Sequence, residues 1–463
     1  MLLMYTACMG PTVVPRAENK TVPANYNNTP DTVNTAKIKW KDFFTDPYLN
    51  SLIDTALQKN QELNIILQEI NVAKNEIRAR KGAYLPFINL GAGAGIDRVS
   101  KYTSQGASDA VNEITPGQKV PANLPNYMFG AFASWQIDIW KQLRNAKGSA
   151  ARRYLSTIEG KNFMVTHLVA EIANSYYELM ALDNQLEILK RNIEIQTNAL
   201  EMVRQEKKAA KVTELAVRRF EAEVLKNKSR QFYVMQKITE TENRINFLLG
   251  RFPQQVLRNS QTFPTLVPDS IRSGIPSQLL ENRPDVRQAM QQLEATKLDV
   301  KVAKANFYPT LMITAGVGYD AFNPQYLIKS PEAIIASAAA GLMAPLINRN
   351  AIKATYYSAN SKQIQAVYNY ERNILRAHIE VSNQLSNINN LKKSYDLKAN
   401  QVLALTQSID ISMSLFKAAR ADYMEVLLTQ RDALESKMEL IETKKQQMNA
   451  VVNIYQELGG GWY

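Results

Sequence analysis

Arg78-Ala79-Arg80-Lys81-Gly82-Ala83-Tyr84-Leu85-Pro86-Phe87-Ile88-Asn89-Leu90-Gly91-Ala92-Gly93 changes character at its proline. Upstream the segment is charged and helix-periodic; downstream apolar residues fall at every second position. Proline cannot continue a helix interior and biases its predecessor towards extended geometry, so Pro86 reads as a helix-to-strand switch. The same crossing recurs at Lys301-Val302-Ala303-Lys304-Ala305-Asn306-Phe307-Tyr308-Pro309-Thr310-Leu311-Met312-Ile313-Thr314-Ala315-Gly316. Pro86 and Pro309 lie 223 residues apart, about half the chain, which indicates an internal duplication.

Composition narrows the function classes. Few glycines and prolines interrupt long helical stretches, so the 463 residues read as one elongated body rather than several ordinary domains. The formal charge of +12 comes from lysines and arginines interleaved with glutamates, as in Arg204-Gln205-Glu206-Lys207-Lys208, and reads as a solvated face. No nucleic-acid-binding motif accompanies it, so no nucleic-acid partner is expected. His167 and His378 each stand alone in a helical run, whereas zinc wants three or four converging ligands. Gly91-Ala92-Gly93-Ala94-Gly95 lacks the helix-opening context of a dinucleotide fingerprint, and no nucleophile elbow is found. The reading is therefore of a protein with no metal, no cofactor and no catalysis.

Cys8, the single cysteine, closes Leu2-Leu3-Met4-Tyr5-Thr6-Ala7-Cys8. Small residues before a cysteine, after an apolar run, resemble the lipobox of a bacterial lipoprotein signal, which would make Cys8 an acylated residue. The run is shorter than a complete signal and has no basic lead, so the start is expected to fall inside a longer leader. Residues 1–8 are read as that remnant, and 9–39, rich in Pro, Thr and Asn, as an extended strap.

The first repeat is expected over 40–250. Asp46-Pro47 suits an N-cap followed by proline at the first helical position, and Asn60 is placed to cap the next helix, which runs to about Tyr84. Strands are expected at about 85–97 and 126–138, joined by a polar loop. In the first, Ile88, Leu90, Ala92, Ala94 and Ile96 share a face. In the second, Tyr127, Phe129, Ala131, Ala133, Trp135 and Ile137 do. Such a hairpin suits an outer-membrane barrel, and equally a hairpin packed on a soluble core. Long helices follow at about 141–208 and 213–249, with Leu182, Leu186, Leu189, Ile193 and Leu200 at the near-heptad spacing of a narrow seam. Gly250 and Pro253 end them.

After a linker at 251–275, the second repeat is expected over 276–458. Pro284-Asp285 suits a helix start. Strands are expected at about 309–320 and 333–346, and long helices at about 350–415 and 422–458, before a tail at 459–463. The uncharged run Ala333–Ile347 has fifteen residues and contains Pro345, short of the roughly 20 that a membrane helix needs. It falls where the repeat needs its second strand.

Four strands are too few to close a barrel; the smallest outer-membrane barrels have about eight. An open sheet in lipid would leave backbone groups unpaired at several kcal/mol each, so copies must join to close it. The chain resembles the TolC family of outer-membrane efflux channels, particularly its lipoprotein branch serving resistance-nodulation-division (RND) pumps. The likeness rests on Phe44-Thr45-Asp46-Pro47-Tyr48-Leu49, Ile137-Asp138-Ile139-Trp140, Leu279-Leu280-Glu281-Asn282-Arg283-Pro284-Asp285-Val286, Phe307-Tyr308-Pro309 and Leu458-Gly459-Gly460-Gly461-Trp462. It implies a mainly α fold with β: a homotrimer whose outer-membrane β-barrel continues into a periplasmic α-helical barrel. It also implies a periplasmic adaptor (membrane fusion protein), an inner-membrane RND-type pump and outer-membrane lipid as partners.

The resemblance places a gate near 209–216 and 418–428. Glu425 occupies the position of an acid that rings the closed aperture in relatives, with Asp422, Arg420, Leu428 and Glu214 as further candidates. Three carboxylates brought together would raise one another's pKa and attract cations. Leu428 and Ala216 stand where some relatives carry acids, so fewer polar ties are expected here. A solvated helix turn would present the same charges. Two other functions stay open: a periplasmic coiled-coil or adhesin-like protein without a pore, and an exit duct for type I protein secretion.

Overall fold

The computed structural model describes residues 11–26, 34–267, 273–347 and 349–462. Cys8 and its leader lie outside the described residues. The chain divides into two units, one containing Asn71–Tyr154 and Gln291–Val367, the other Glu18–Ile70, Leu155–Met290 and Tyr368–Tyr463.

The first unit holds a four-stranded antiparallel sheet of β1 (Phe87–Asp97), β4 (Leu124–Ile137), β5 (Thr310–Ala321) and β6 (Ile334–Met343), in the order β1-β4-β5-β6. The register runs unbroken: Phe87 faces Ser134, Tyr127 faces Ala321, and Thr310 faces Met343. β1 and β6 are therefore edges, each with one side of its backbone unpaired within the chain.

Between β1 and β4 the polar stretch read as loop contains local structure. It forms a short helix, Ser104–Asp109, and a small hairpin of β2 (Glu113–Thr115) and β3 (Gln118–Lys119). Thr103 accepts the Gly106 N–H at 3.2 Å, and Gly117 turns the hairpin at φ 83°. Both are turn devices too short to leave a periodic pattern.

The long helices are α1 (Gln142–Lys208), α2 (Glu214–Leu248), α3 (Asn350–Lys417) and α4 (Tyr423–Glu457). Asp138 starts α1: its carboxylate accepts the N–H groups of Leu143 and Arg144, both at 2.9 Å, and pairs with the Arg144 guanidinium. That is the cap which the Ile137-Asp138-Ile139-Trp140 segment encodes, with Lys141 carried into positive φ of 58° at the corner.

In the second unit the buried stripe of α2 steps three and four residues at a time through Val217, Phe220, Val224 and Asn227, then on to Val234, Thr241, Ile245 and Leu248. The facing stripe of α1 is Leu189, Asn192, Gln196, Ala199 and Val203. Leu189 and Leu200 belong to the buried set as their spacing suggests, but Ile193 is only half-buried and two amides take the seam instead. For Gln196 the reason is pairing: the Asn227 amide donates to its Oε1 at 2.8 Å across the seam.

The main core of this unit gathers Trp40, Phe44, Leu49, Ile53, Leu168, Ile172, Tyr176, Met180, Ile245 and Tyr455. Asp46 sits at its margin, where one carboxylate oxygen caps the helix Pro47–Lys59 at Tyr48 N (2.8 Å) and the other accepts the Tyr176 hydroxyl at 2.7 Å. The segment after Gly250, read as a linker, is pinned by Arg258. Its guanidinium is shared between Asp183 at 2.6 and 2.9 Å and Glu242 at 2.6 Å.

Candidate functional site

The sheet presents two chemically different faces. Ile88, Leu90, Ala92, Ala94 and Ile96 of β1 align with Ala133, Ala131, Phe129, Tyr127 and Pro125 of β4. The series continues through Ala315, Val317 and Tyr319 of β5 to Ala338, Ala336 and Ile334 of β6. No charged residue interrupts it. Leu90 is 87% exposed, Ile88 70% and Leu342 67%, although burial of such side chains stabilises a water-soluble chain by about 1.5–3 kcal/mol each. The opposite face is mixed: Asn89, Gly91, Gly93, Ser134, Gln136, Thr314, Gly316 and Ser337 share it with Met128, Phe132, Met312 and Ile335.

Strand lengths of 11, 14, 12 and 10 residues reach the roughly 9–11 residues that a tilted strand needs to cross a bilayer. No described helix is long and apolar enough to cross a membrane. Phe129 stacks on Tyr319 at 5.1 Å within the apolar band. Just beyond the strands, Trp140 stacks on Tyr308 at 4.7 Å while its indole N–H donates to Pro309 O at 2.7 Å. Apolar bodies with polar tips at this level are what a membrane-water boundary selects.

The long helices all end in the same 6→1, 5→2 turn. At the ends of α1 and α3, Lys211 N donates to Glu206 O at 3.0 Å and Arg420 N to Leu415 O at 2.9 Å, with Ala210 and Ala419 at φ 57° and 56°. We call these ends the tips. At the ends of α2 and α4, Arg251 N donates to Asn246 O at 3.0 Å and Gly460 N to Tyr455 O at 2.9 Å, with Gly250 and Gly459 in the left-handed region. These are the joints.

Each joint is closed by a side chain that precedes a helix. Asn60 donates to Leu248 O at 2.9 Å and accepts Leu63 N at 2.8 Å. Arg283 takes the equivalent place, donating to Glu457 O at 3.1 Å, gripping Asp285 through two bonds of 3.0 and 2.7 Å, and reaching Glu380 at 2.9 Å. A cavity of about 380 Å³ opens beside this second joint, lined by Phe163, His167, Arg376 and Glu457 among others. Burial, reinforced by the Glu380 charge and opposed by Arg283, pushes the Glu457 carboxyl up to about 8. The sequence marks Asp285 as a favourable helix-start acid; its clamp on Arg283 depends on contacts from residues far along the chain.

At the tips, Glu214 is held by Lys207 and by Arg218, the latter at 2.8 Å. The bond from Lys207, with both cations nearby, keeps its carboxyl below the usual range. Asp422 is the N-cap of α4 but makes no side-chain capping bond. Glu425, Asp422 and Arg420 are exposed and form no ion pair among the described residues, and Leu428 is exposed beside them. Ala216, the counterpart of Glu425 in the first repeat, is fully buried. It belongs to a cluster with Val203, Phe220 and Leu427, against which Tyr423 and Met424 pack. The structure thus groups Glu214 with Lys207 and Arg218, a clamp the sequence reading missed, and leaves the remaining candidates solvent-facing.

Two histidines complete the inventory of titratable oddities. His378 stacks on Tyr26 at 5.2 Å, and His167 lies 3.8 Å from Glu171. Among the described residues, no group of three or more His, Cys, Asp and Glu side chains could hold a metal ion.

An open antiparallel sheet with one continuously apolar and one mixed, partly polar face, together with duplicated long-helix pairs, defines the outer-membrane exit-channel class. The chain belongs to the outer membrane efflux protein family, whose model matches residues 52–251 and 275–460. It is similar to the solvent efflux pump outer membrane protein SrpC of Pseudomonas putida, 25% identical over 92% of this chain and 88% of that one. The cation efflux system protein CusC of Escherichia coli is 23% identical over 91% and 88%. Among solved structures, a membrane protein from Pseudomonas aeruginosa superposes with a TM-score of 0.87 at 21% identity, over 97% of this chain and 99% of that one.

Proposed function

We propose that this outer-membrane efflux protein is the passive exit channel of a tripartite pump, carrying small toxic compounds from the periplasm to the exterior. The observation that carries this reading is the apolar face of the open sheet, continuous over four strands whose two edges are unpaired within the chain. Three copies would supply twelve strands, enough to close a barrel with the continuously apolar face towards lipid and the mixed face, which carries the Asn, Gln, Ser and Thr side chains, towards water. The helical unit would then stand in the periplasm, where an adaptor and an inner-membrane RND-type pump deliver substrate. Acylation of Cys8 would add a lipid anchor.

The tips are the proposed gate. A trimer would bring three copies of Glu425 together, and their mutual repulsion would favour bound cations. Leu428 lies one helical turn further on and would add an apolar ring, while Asp422 and Arg420 flank the turn. Glu214, already neutralised by Lys207 and Arg218, contributes to holding the first tip rather than to ion recognition. SrpC and CusC are named for solvents and for cations, so one architecture serves unlike cargo and the cargo of this chain is set by its pump.

Deletion of the protein is expected to raise intracellular accumulation of at least one toxic compound across a susceptibility panel, and unchanged susceptibility throughout would refute the efflux role. In planar bilayers, Glu425→Ala is expected to alter conductance and reduce cation preference. Unchanged values for both would remove Glu425 from the gate.

A further inference from the structure

The duplication has a single register within each of its parts. Pro86 matches Pro309, and with this 223-residue offset Ala92, Gly93, Gly95 and Asp97 meet Ala315, Gly316, Gly318 and Asp320, all identical. From the second strand of each repeat onward the offset is 209. Ser134 matches Met343 in the strands, Ala210 matches Ala419 at the tips, and Gly250 matches Gly459 at the joints. The difference is absorbed between the strands, where the first repeat carries the extra helix and hairpin. The mapping can be checked inside the chain. It carries the β1–β4 pair Phe87–Ser134 onto Thr310–Met343, which is the observed β5–β6 pair.

Applied to the one remaining observed pairing, β4 with β5, the same mapping yields a pairing the single chain cannot make. β4 maps onto β6, and β5 maps onto β1. We propose that β6 of one copy pairs antiparallel with β1 of the next in a fixed register, Ala340 opposite Ala94 and Gly341 opposite Gly93 of the neighbour. The template pairs are Ala131–Val317 and Phe132–Gly316. This inference rests on the reading that copies join to close the barrel, and adds where each strand edge must seat.

Side-chain chemistry agrees with the mapped register. The apolar face of β6 then meets the apolar face of β1, with Ala338 opposite Ile96 and Leu342 opposite Ala92, so each large side chain faces an alanine. On the other face Ala339 meets Gly95 and Gly341 meets Gly93. A slip of one residue would turn apolar side chains onto the other face. A slip of two keeps the faces: in one direction it breaks the size match by setting Leu342 opposite Leu90, and in the other, where Ala340 meets Ile96, the β4–β5 template alone decides against it. Neither edge strand carries a charge between Phe87 and Ile96 or between Ile334 and Met343, so nothing in these edges opposes pairing.

Cysteine pairs in the full-length protein, oxidised in outer membranes, test the register. Directly opposed residues on antiparallel strands have Cα atoms about 4.5 or 5.5 Å apart, both within disulfide reach, whereas a diagonal offset by two residues exceeds it. Ala94→Cys/Ala340→Cys and Gly93→Cys/Gly341→Cys cover both kinds of ladder position. At least one of the two is expected to give a reducible covalent trimer ladder. Ala94→Cys/Ala338→Cys, Ala94→Cys/Leu342→Cys and each single-cysteine variant are expected to give none.

Cross-linking in a slipped pair instead would overturn the register while leaving the oligomeric channel standing. So would the absence of cross-links in every pair when heat-modifiable trimers persist on gels. Failure of the unsubstituted protein to form any heat-modifiable oligomer would remove the closed-barrel reading itself, and the register with it.

Discussion

One turn ends all four long helices, but glycine makes it at the joints and alanine makes it at the tips. At the joints a Cβ has nowhere to go. On Gly250 it would lie 2.4 Å from Lys59 O, and on Gly459 it would lie 2.5 Å from Asn282 O. Two backbones touch there, and only glycine lets them. At the tips Ala210 and Ala419 adopt the left-handed conformation at a cost of roughly 1–2 kcal/mol each. Their neighbours Ala209, Lys211, Ala418 and Arg420 are exposed. The joints are packed to stay shut as built, while the tips hold strain without a partner backbone to lock them. Strain kept at a site that must change shape fits a gate, and the close backbone contact fits a hinge-free anchor.

The largest way to break this contrast is Gly459→Ala. Steric conflict with Asn282 O adds to the left-handed penalty, so about 3–5 kcal/mol of stability should be lost. Thermal unfolding of the detergent-solubilised protein would show it, and a loss below about 1 kcal/mol would mean the joint yields. Asp285→Ala comes next. It takes one carboxylate from the buried Arg283 and should cost about 2–4 kcal/mol, whereas Asn60→Ala at the neutral joint should cost about 1–2 kcal/mol.

Two substitutions should stabilise. Gln430, one helical turn beyond Leu427, is fully buried, and neither atom of its amide has a hydrogen-bond partner among the described residues. Gln430→Leu removes that desolvation cost and should gain about 1–2 kcal/mol. Ala419→Gly relieves the left-handed penalty and should gain about 1 kcal/mol, at the tip alone. If the strain serves gating, the same variant should also change the fraction of time the channel spends open in a bilayer.

The charged joint also sets a pH dependence, which the neutral Asn60 joint lacks. Glu457 titrates near 8 in the folded protein against an ordinary value of 4.5. Between those values the native state holds a proton that the unfolded state has released, so stability falls as pH rises through the window and levels off above it. Glu457→Gln should flatten that fall. A melting temperature that instead climbs with pH between 5 and 8 in the unsubstituted protein, and not in the variant, would show the sign to be wrong.

Local rules carry much of this architecture in plain view of the sequence. Pro86 and Pro309 announce the two switches from helix to strand, period-two alternation gives each strand its faces, and Asp46 and Asn60 cap where their residue types say they should. What stayed hidden needs contacts across the chain. Alanine at φ 57° carries no sequence flag, because the left-handed turn is usually signalled by glycine. The heptad spacing puts Ile193 in the seam, yet Gln196 is buried there instead, because Asn227 on the next helix offers the glutamine a partner. The Lys207 half of the clamp on Glu214 needs the turn between α1 and α2, whereas the Arg218 half is an i,i+4 pair within α2 that spacing alone could have shown. Of the gate residues, the sequence supplies their place at the turn, and their roles come from the resemblance.

The account depends most on which side of the sheet meets lipid, and Ala338 and Ala339 of β6 test it with one residue type. They are adjacent, both exposed, and point to opposite faces, opposite Ala315 and Thr314 respectively. Arginine on a lipid face costs about 2–4 kcal/mol at the bilayer midplane and far less towards water. Heat-modifiable oligomer in the outer-membrane fraction should therefore be depleted by Ala338→Arg and retained by Ala339→Arg. Equal retention of both variants, or depletion by Ala339→Arg alone, would contradict the account.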